Sequence, residues 1–308
     1  MICIECQRMI SPHAKGLLIT AAGVLLISPD GLLTRLIQTD HWTMLFWRSL
    51  FLSFGMLLLV NFTHPNRVWS QFKTLKGPGL YMVLAYSMGA TSFIYAITHT
   101  SVANTLIILS TTPLFAAIIG RLFLGEVIER RTMVAITLVA GGIAIISSGS
   151  GGQQTSLIGD LAAIVGAFFL ACGFSFVRRY PGISSVSAIS LSGLLTASMI
   201  LPLAAPLSVS QSDLGYLMIM GLYMLPIGTA LMFIGPRYIP AAEVGLLLLL
   251  ESILGPVWVW LVLHEEPGPR TLFGGGIVLM TLAINTIWVL RQTKRAREVA
   301  RVVVQGAS

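Results

Sequence analysis

Four ionisable residues stand out in this sequence because each lies within a long apolar stretch, where a charge is costly. They are Asp30, Arg48, Glu243 and Glu251. An acid and a base at the same depth in an apolar medium can form an ion pair, and a carboxylate there can be protonated or ionised. These residue types therefore favour the binding of a small polar solute or of protons.

Helix geometry places Asp30 and Arg48 at similar depths. Gly16, Gly23 and Asp30 are spaced by seven residues, which keeps them near one helix face and turns Asp30 towards other helices. A rise of 1.5 Å per residue puts Asp30 about 9 Å from the outer boundary of a ~30 Å hydrocarbon core, and Arg48, seven residues after His41, about 10 Å deep. The sequence thus predicts an Asp30–Arg48 ion pair, which is either a structural link or part of a binding site or outer gate.

The two glutamates lie in one later stretch. Glu251 follows Pro240 by 11 residues, which places it about 16 Å deep and close to the bilayer midplane. Glu243 lies nearer the cytoplasmic end of the same stretch. Glu251 is the first candidate for a proton-coupling group and Glu243 the second, but a permanently protonated Glu251 is only a packing residue. Both interpretations of Glu251 stay open.

The elements that hold these residues must be membrane-spanning helices. The 308 residues are 55% hydrophobic and only 10% charged, with a mean hydropathy of +0.85, whereas soluble domains carry roughly 25% charged residues. The apolar runs are about twenty residues long, the length at which a helix crosses the hydrocarbon core. This pattern excludes a soluble enzyme, a disordered chain and a nucleic-acid-binding protein, and makes the lipid bilayer the surrounding partner.

Ten such runs predict an all-α membrane protein of ten transmembrane helices. The predicted spans are 16–38, 41–62, 78–98, 101–124, 131–148, 156–178, 186–206, 214–235, 240–263 and 271–291. They leave an N-terminal tail, a glycine-rich linker and a basic C-terminal tail, at 1–15, 149–155 and 292–308. Of the 19 Lys and Arg residues, 15 fall on one side of this arrangement and one on the other. This bias predicts that both termini are cytoplasmic.

The two halves of the chain are related to each other. Glu126 aligns with Glu265 at an offset of 139 residues, and Arg35 aligns with Arg178 at an offset of 143. Each half holds five spans, an odd number, so the second half is inverted relative to the first, as alternating access requires. The predicted repeats are 16–148 and 156–291.

The chain resembles the drug/metabolite transporter superfamily, specifically its ten-span members built from two EamA-type units. The resemblance covers about residues 16–291 and implies a secondary transporter of the bacterial inner membrane. Members of this superfamily export amino acids, drug-like compounds or other small metabolites, and this chain is expected to do the same. The residues that carry the resemblance are Trp47-Arg48-Ser49, the segment from Thr112-Pro113 to Gly125-Glu126, and the segment from Leu250-Glu251-Ser252 to Glu265-Glu266-Pro267.

The resemblance also implies that spans three, four, eight and nine line the substrate cavity. Aromatic rings and hydroxyl groups in an apolar cavity suit an amphipathic solute of amino-acid or drug size. For each such side chain taken singly, packing is favoured over contact with the solute. Besides Asp30, Arg48 and Glu251, the candidate binding residues are Tyr86, Phe93, Tyr95, Thr111, Thr112, Tyr223 and Thr229.

Two other functions stay open. A passive facilitator or channel is opposed by the inverted repeat and by Glu251, and an exchanger of sugar phosphates or nucleotide sugars needs clustered cations that the spans do not supply. The motifs H-E-x-x-H, G-x-S-x-G and G-x-x-x-x-G-K-[ST] are not found, so we expect no enzyme activity, ATP site, cofactor or metal.

Two further patterns have no assigned function. Gly274, Gly275 and Gly276 in span ten predict a helix-packing surface, or a contact with lipid or a second copy. A homodimer stays open, although a monomer suffices for transport. The role of the lone pair Cys3 and Cys6 is also open.

Overall fold

The computed structural model describes residues 12–63, 68–73, 75, 77–124, 130–149, 156–180, 182–234, 238–239 and 241–306. Over this part of the chain the regular structure is helical and contains no strand. The α-helices are α1 Pro12–Ile27, α2 Asp30–Leu36, α3 His41–Thr63, α4 Val68–Lys73, α5 Pro78–His99, α6 Val102–Leu109, α7 Thr112–Leu124, α8 Arg130–Ser148, α9 Leu157–Arg179, α10 Ser185–Ile200, α11 Gln211–Met218, α12 Leu225–Ile234, α13 Ala241–Leu263 and α14 Pro269–Gly306.

Eight segments of the described chain are long and apolar enough to cross a membrane, and the shorter apolar helices Ser185–Ile200 and Leu247–Leu263 bring the number to ten. The first and fourth of these spans each combine two helices, α1 with α2 and α6 with α7. Span eight combines α11 and α12 through a π-helical turn at Ile219–Met224. The prediction of an all-α membrane protein is confirmed.

The interruptions in spans one and four lie beside proline residues. Pro29 separates α1 from α2, and Pro113 lies in the first turn of α7, just after the break that follows α6. Proline lacks a backbone N–H and its ring clashes with the carbonyl four residues before it, so it ends a helix or kinks it. The span predicted at 16–38 is present as Pro12–Leu36, with an interruption at Pro29. By contrast, α13 continues through Pro256.

Contacts at the helix ends show that the two repeats are inverted. Arg35 at the end of α2 donates a hydrogen bond to the carbonyl oxygen of Thr100, just after α5, at 2.6 Å. The hydroxyl of Thr100 donates to Asp160, in the first turn of α9, at 2.8 Å. The first span of the first repeat thus ends on the side where the first span of the second repeat begins. We call this side, from its predicted topology, the predicted outer side.

Glycines of spans one and six lie at close helix contacts. A Cβ atom at Gly23 would lie 2.9 Å from the carbonyl oxygen of Gly228 in α12, and a Cβ atom at Gly173 would lie 2.8 Å from the ring of Tyr86 in α5. Span one therefore packs on span eight in the same way that span six packs on span three. This exchange of partners between repeats is what an inverted pair of five-helix units produces.

The glycines of span ten also pack within the chain. A Cβ atom at Gly274 would lie 2.6 Å from the carbonyl oxygen of Gly142 in α8, and one at Gly275 would lie 2.6 Å from Ile107 in α6. A Cβ atom at Gly276 would meet no atom within 4 Å. The packing interpretation of this stretch is confirmed for its first two glycines, and contact with a second copy stays a prediction.

We expect Gly193→Ala to destabilise the contact between α3 and α10. A Cβ atom there would lie 2.5 Å from the carbonyl oxygen of Ser49 and 3.1 Å from Cβ of Ser53, and overpacking of this kind costs about 1–3 kcal/mol. The midpoint of thermal unfolding in detergent should fall. Gly141→Ala is the matched control, because the space around that position is open and alanine favours helix. Equal midpoints for the two variants would contradict the close packing.

Candidate functional site

Asp30 and Arg48 form a bidentate ion pair between spans one and two. Nη1 of Arg48 donates to Oδ1 of Asp30 at 2.7 Å, and Nη2 donates to Oδ2 at 2.9 Å. Both side chains are buried, with exposed fractions of 8% for Asp30 and 11% for Arg48. The break at Pro29 makes Asp30 the first residue of α2, where the helix dipole favours a carboxylate. The predicted pairing is confirmed.

Phe93 of α5 completes this group from a third span. The guanidinium carbon of Arg48 lies 5.4 Å from the centre of the Phe93 ring, within the range of a cation–π interaction. The ion pair therefore holds Arg48 on one side while an aromatic face covers it on another. Three residues predicted to bind the solute lie together in the interior of the bundle.

Glu251 of α13 brings a second carboxylate towards this group. Its side chain is half-buried, and α13 packs against α2, the helix that begins with Asp30. Arg48 already uses both of its terminal nitrogens on Asp30. One guanidinium thus serves a site with two acids, so that the charge of the site depends on whether Glu251 carries a proton.

Helix α13 is joined to both interrupted spans near Glu251. The hydroxyl of Ser252 donates to the carbonyl oxygen of Leu106 in α6 at 3.1 Å. The indole N–H of Trp258 donates to the hydroxyl of Ser28, at the break between α1 and α2, at 2.9 Å. These bonds couple the helix that bears Glu251 to the segment that positions Asp30.

Four of the other predicted binding residues are engaged elsewhere. Tyr86 packs against Gly173, and its buried hydroxyl has no hydrogen-bond partner among the described residues. The ring of Tyr95 stacks on His99, with 4.0 Å between ring centres. The hydroxyls of Thr111 and Thr112 each donate to a carbonyl oxygen at the end of α6, at 2.6 Å. As substrate contacts, these residues stay predictions.

The remaining candidates are Tyr223, Thr229 and Glu243. Tyr223 has an exposed fraction of 57%, and Thr229 in α12 is half-buried. The Glu243 side chain, the Cys3 and Cys6 pair and most of the predicted linker 149–155 lie outside the described residues.

A cavity of about 310 Å³ opens at the predicted outer side, between the ends of α2, α3 and α5. The rings of His41 and His99 lie beside it, with 5.1 Å between their centres. No group of three or more metal-binding side chains is found in the described part of the chain. The cavity is lined by Thr34, Arg35, Ile37, Thr39, Asp40, His41, Met44, Ile97, Thr98 and His99. We call it the vestibule; the sequence did not predict it.

A network of polar contacts joins the two repeats on the same side. Nε of Arg35 lies 3.3 Å from a carboxylate oxygen of Glu265. The fully buried Asp160 accepts hydrogen bonds from Thr100 and from the amide of Asn104, at 2.8 and 3.1 Å. The hydroxyl of Thr271 donates to Asn104 at 2.6 Å. The sequence feature that could have predicted this network is Asp160, an acidic residue in the first turn of a predicted span.

Ten apolar helices in two inverted repeats, with ionisable side chains buried between them, define a membrane transporter. A sequence model of the family described as "EamA-like transporter family" matches residues 14–148 and 157–287, one match for each repeat. The chain belongs to the EamA-like transporter family, and it is a multi-pass integral membrane protein.

Proteins similar to this chain include an archaeal relative and a protein of known structure. An "Uncharacterized transporter" from Methanothermobacter thermautotrophicus is 23% identical over 207 residues, which cover 64% of this chain and 60% of that protein. A solved crystal structure superposes with a TM-score of 0.64 at 13% identity, covering 91% of this chain and 98% of the other. The second similarity shows the fold alone.

Proposed function

We propose that this protein is a secondary transporter that moves a small metabolite, such as an amino acid or an amphipathic drug-like compound, by alternating access. The observation that supports this most directly is the bidentate Asp30–Arg48 pair at a helix break, with Glu251 on α13, which packs against α2. Buried ionisable groups beside interrupted helices are typical of transporter binding sites.

The pair offers a solute two ways to bind. A carboxylate can compete with Asp30 for the guanidinium of Arg48, and an ammonium group can compete with Arg48 for Asp30. Phe93 adds an aromatic face for the apolar part of the solute. An amphipathic solute with at least one charge therefore suits this site better than a purely apolar one.

Coupling to protons through Glu251 is part of the proposal. With Glu251 ionised, the three groups carry a net charge of −1, and with Glu251 protonated they carry none. A proton taken up from one side and released on the other thus changes the charge that the solute meets. Glu243 remains the second candidate for this role.

The proposal also covers the direction of transport and the membrane in which the protein lies. The excess of Lys and Arg on one side favours cytoplasmic termini in a bacterial inner membrane, and the family resemblance favours export. Exchange of sugar phosphates has less support, because a dianion needs clustered cations, whereas Arg48 and Arg35 lie apart and each faces a carboxylate.

Purified protein in liposomes tests the transport function. With a panel of labelled amino acids and cationic amphiphiles, we expect flux of at least one solute to saturate and to be accelerated by unlabelled solute on the opposite side. Empty liposomes are the control. Flux that rises linearly with concentration and shows no counter-transport would identify a passive pore instead.

A further inference from the structure

The vestibule carries both signs of charge on its wall. Arg35 comes from α2, and Asp40 precedes α3. Burial raises the pKa of Asp40, but hydrogen bonds from Thr43 and Trp42 outweigh that effect and leave the pKa below its ordinary value. Asp40 is exposed, and because its pKa is lowered it is an anion at neutral pH. A wall that presents one cation and one anion is complementary to a zwitterion.

The Arg35 side chain is held in a fixed position but is not fully used. Nη2 donates to the carbonyl oxygen of Thr100 at 2.6 Å, and Nε and Nη2 face Glu265 at 3.3 and 3.4 Å. Its buried Nε makes no hydrogen bond among the described residues, although it lies 3.3 Å from Glu265. A guanidinium oriented in this way keeps one donor group for a carboxylate.

The deep end of the vestibule is apolar and faces the ion pair. Met44 and Ile97 line the cavity and are almost fully buried, with exposed fractions of 2% and 0%. Met44 lies one helical turn before Arg48 on α3, and Ile97 lies one turn after Phe93 on α5. The two side chains thus occupy the layer between the vestibule and the Asp30–Arg48 group.

A polar group without a partner lies in the same layer. Thr34 lines the vestibule, is 2% exposed, and its hydroxyl has no hydrogen-bond partner among the described residues. It also lies one turn after Asp30 on α2, on the same helix face. An unpaired buried hydroxyl is costly, and a polar solute that passes this layer could bind it.

We propose that the vestibule is an outer binding site for a small zwitterion with an apolar body, separated by Met44 and Ile97 from the Asp30–Arg48 pair. The carboxylate of the solute binds Arg35, its ammonium group binds Asp40, and its apolar part faces Met44 and Ile97. The volume of about 310 Å³ is at the lower end of the range for small-molecule pockets. This inference rests on the proposed transport function and supplies the approach to its central site.

Protection of a cysteine from modification tests the site directly. Thr39→Cys, on the vestibule wall, is introduced into a chain in which Cys3, Cys6 and Cys172 are replaced by serine, and the protein is placed in lipid nanodiscs that leave both sides accessible. L-leucine and L-phenylalanine, at ten times their Kd, should slow maleimide labelling about tenfold. L-leucinamide and L-phenylalaninamide, which lack the carboxylate, should protect much less.

Matched variants assign the effect to the proposed contacts. Leu207→Cys, on a fully exposed side chain outside the vestibule, should be labelled at the same rate with and without amino acid. Arg35→Gln should abolish the protection of Thr39→Cys, whereas Arg121→Gln, at an exposed site on α7, should preserve it. Asp40→Asn should weaken protection while leaving α3 capped, because asparagine is as good an N-cap as aspartate.

The outcomes separate this site from the transport function. Equal protection by the amides, or no protection by either amino acid, overturns the vestibule site. Protection without saturable flux in liposomes supports the site and overturns the transport function. Saturable flux of the same amino acids without protection overturns the site alone.

Discussion

Asp30→Asn is expected to reduce transport by about 100-fold or more and to lower the stability of the protein. The substitution removes the carboxylate that binds both terminal nitrogens of Arg48, and breaking a buried ion pair in this way costs about 3–5 kcal/mol, where each 1.4 kcal/mol is a factor of ten. Arg48→Gln should have a comparable effect. Initial rates of solute flux in liposomes and the midpoint of thermal unfolding measure the two losses.

Combined variants separate a structural from a functional role of the pair. Asp30→Asn with Arg48→Gln removes both charges, so its thermal midpoint should exceed that of either single variant. The exchange of the two residues, Asp30→Arg with Arg48→Asp, should recover part of the stability. If the neutral double variant is stable but does not transport, the pair acts in solute binding or gating. Normal transport by Asp30→Asn would rule out the functional role.

Glu251→Gln is expected to remove the response of transport to a pH gradient. Glutamine resembles a protonated glutamate in shape and charge but cannot release a proton, so the site would keep one charge state throughout the cycle. Downhill flux should continue, while accumulation driven by an imposed pH gradient should disappear. Labelled solute in liposomes, with and without the gradient, measures both.

Glu266→Gln is the matched control for this experiment, because Glu266 lies exposed between α13 and α14. It should respond to the gradient as the unmodified protein does. If the unmodified protein is itself indifferent to the gradient and Glu251→Gln transports equally well, Glu251 is a packing residue and the protein is a facilitator.

The ion pair could be predicted because helices in a bilayer obey simple geometry. A rise of 1.5 Å per residue and a fixed membrane thickness convert sequence position into depth. Asp30 and Arg48 came out at the same depth, and the structure joins them at 2.7 Å. Glycines spaced by seven likewise predicted that this face of span one packs closely, as Gly23 does.

Contacts between span ends could not be predicted in the same way. Arg35 and Glu265 are separated by 230 residues, and hydropathy indicates which side of the membrane each occupies but not which ends are neighbours. The vestibule depends on such lateral proximity of three helix ends, and so does the His41–His99 contact. The exposure of Tyr223 was missed for a related reason, since a hydropathy pattern that is apolar on every face does not orient a helix.

The polar network on the predicted outer side has an energetic consequence for the direction of transport. Four of its contacts, Arg35–Glu265, Thr100–Asp160, Asn104–Asp160 and Asn104–Thr271, join one repeat to the other. At a net value of about 1 kcal/mol each, separating the repeats there costs about 4 kcal/mol, which leaves roughly one molecule in a thousand open. If the protein exports its solute as proposed, the apparent affinity of the proposed central site for a solute arriving from that side falls by the same factor, which opposes re-entry.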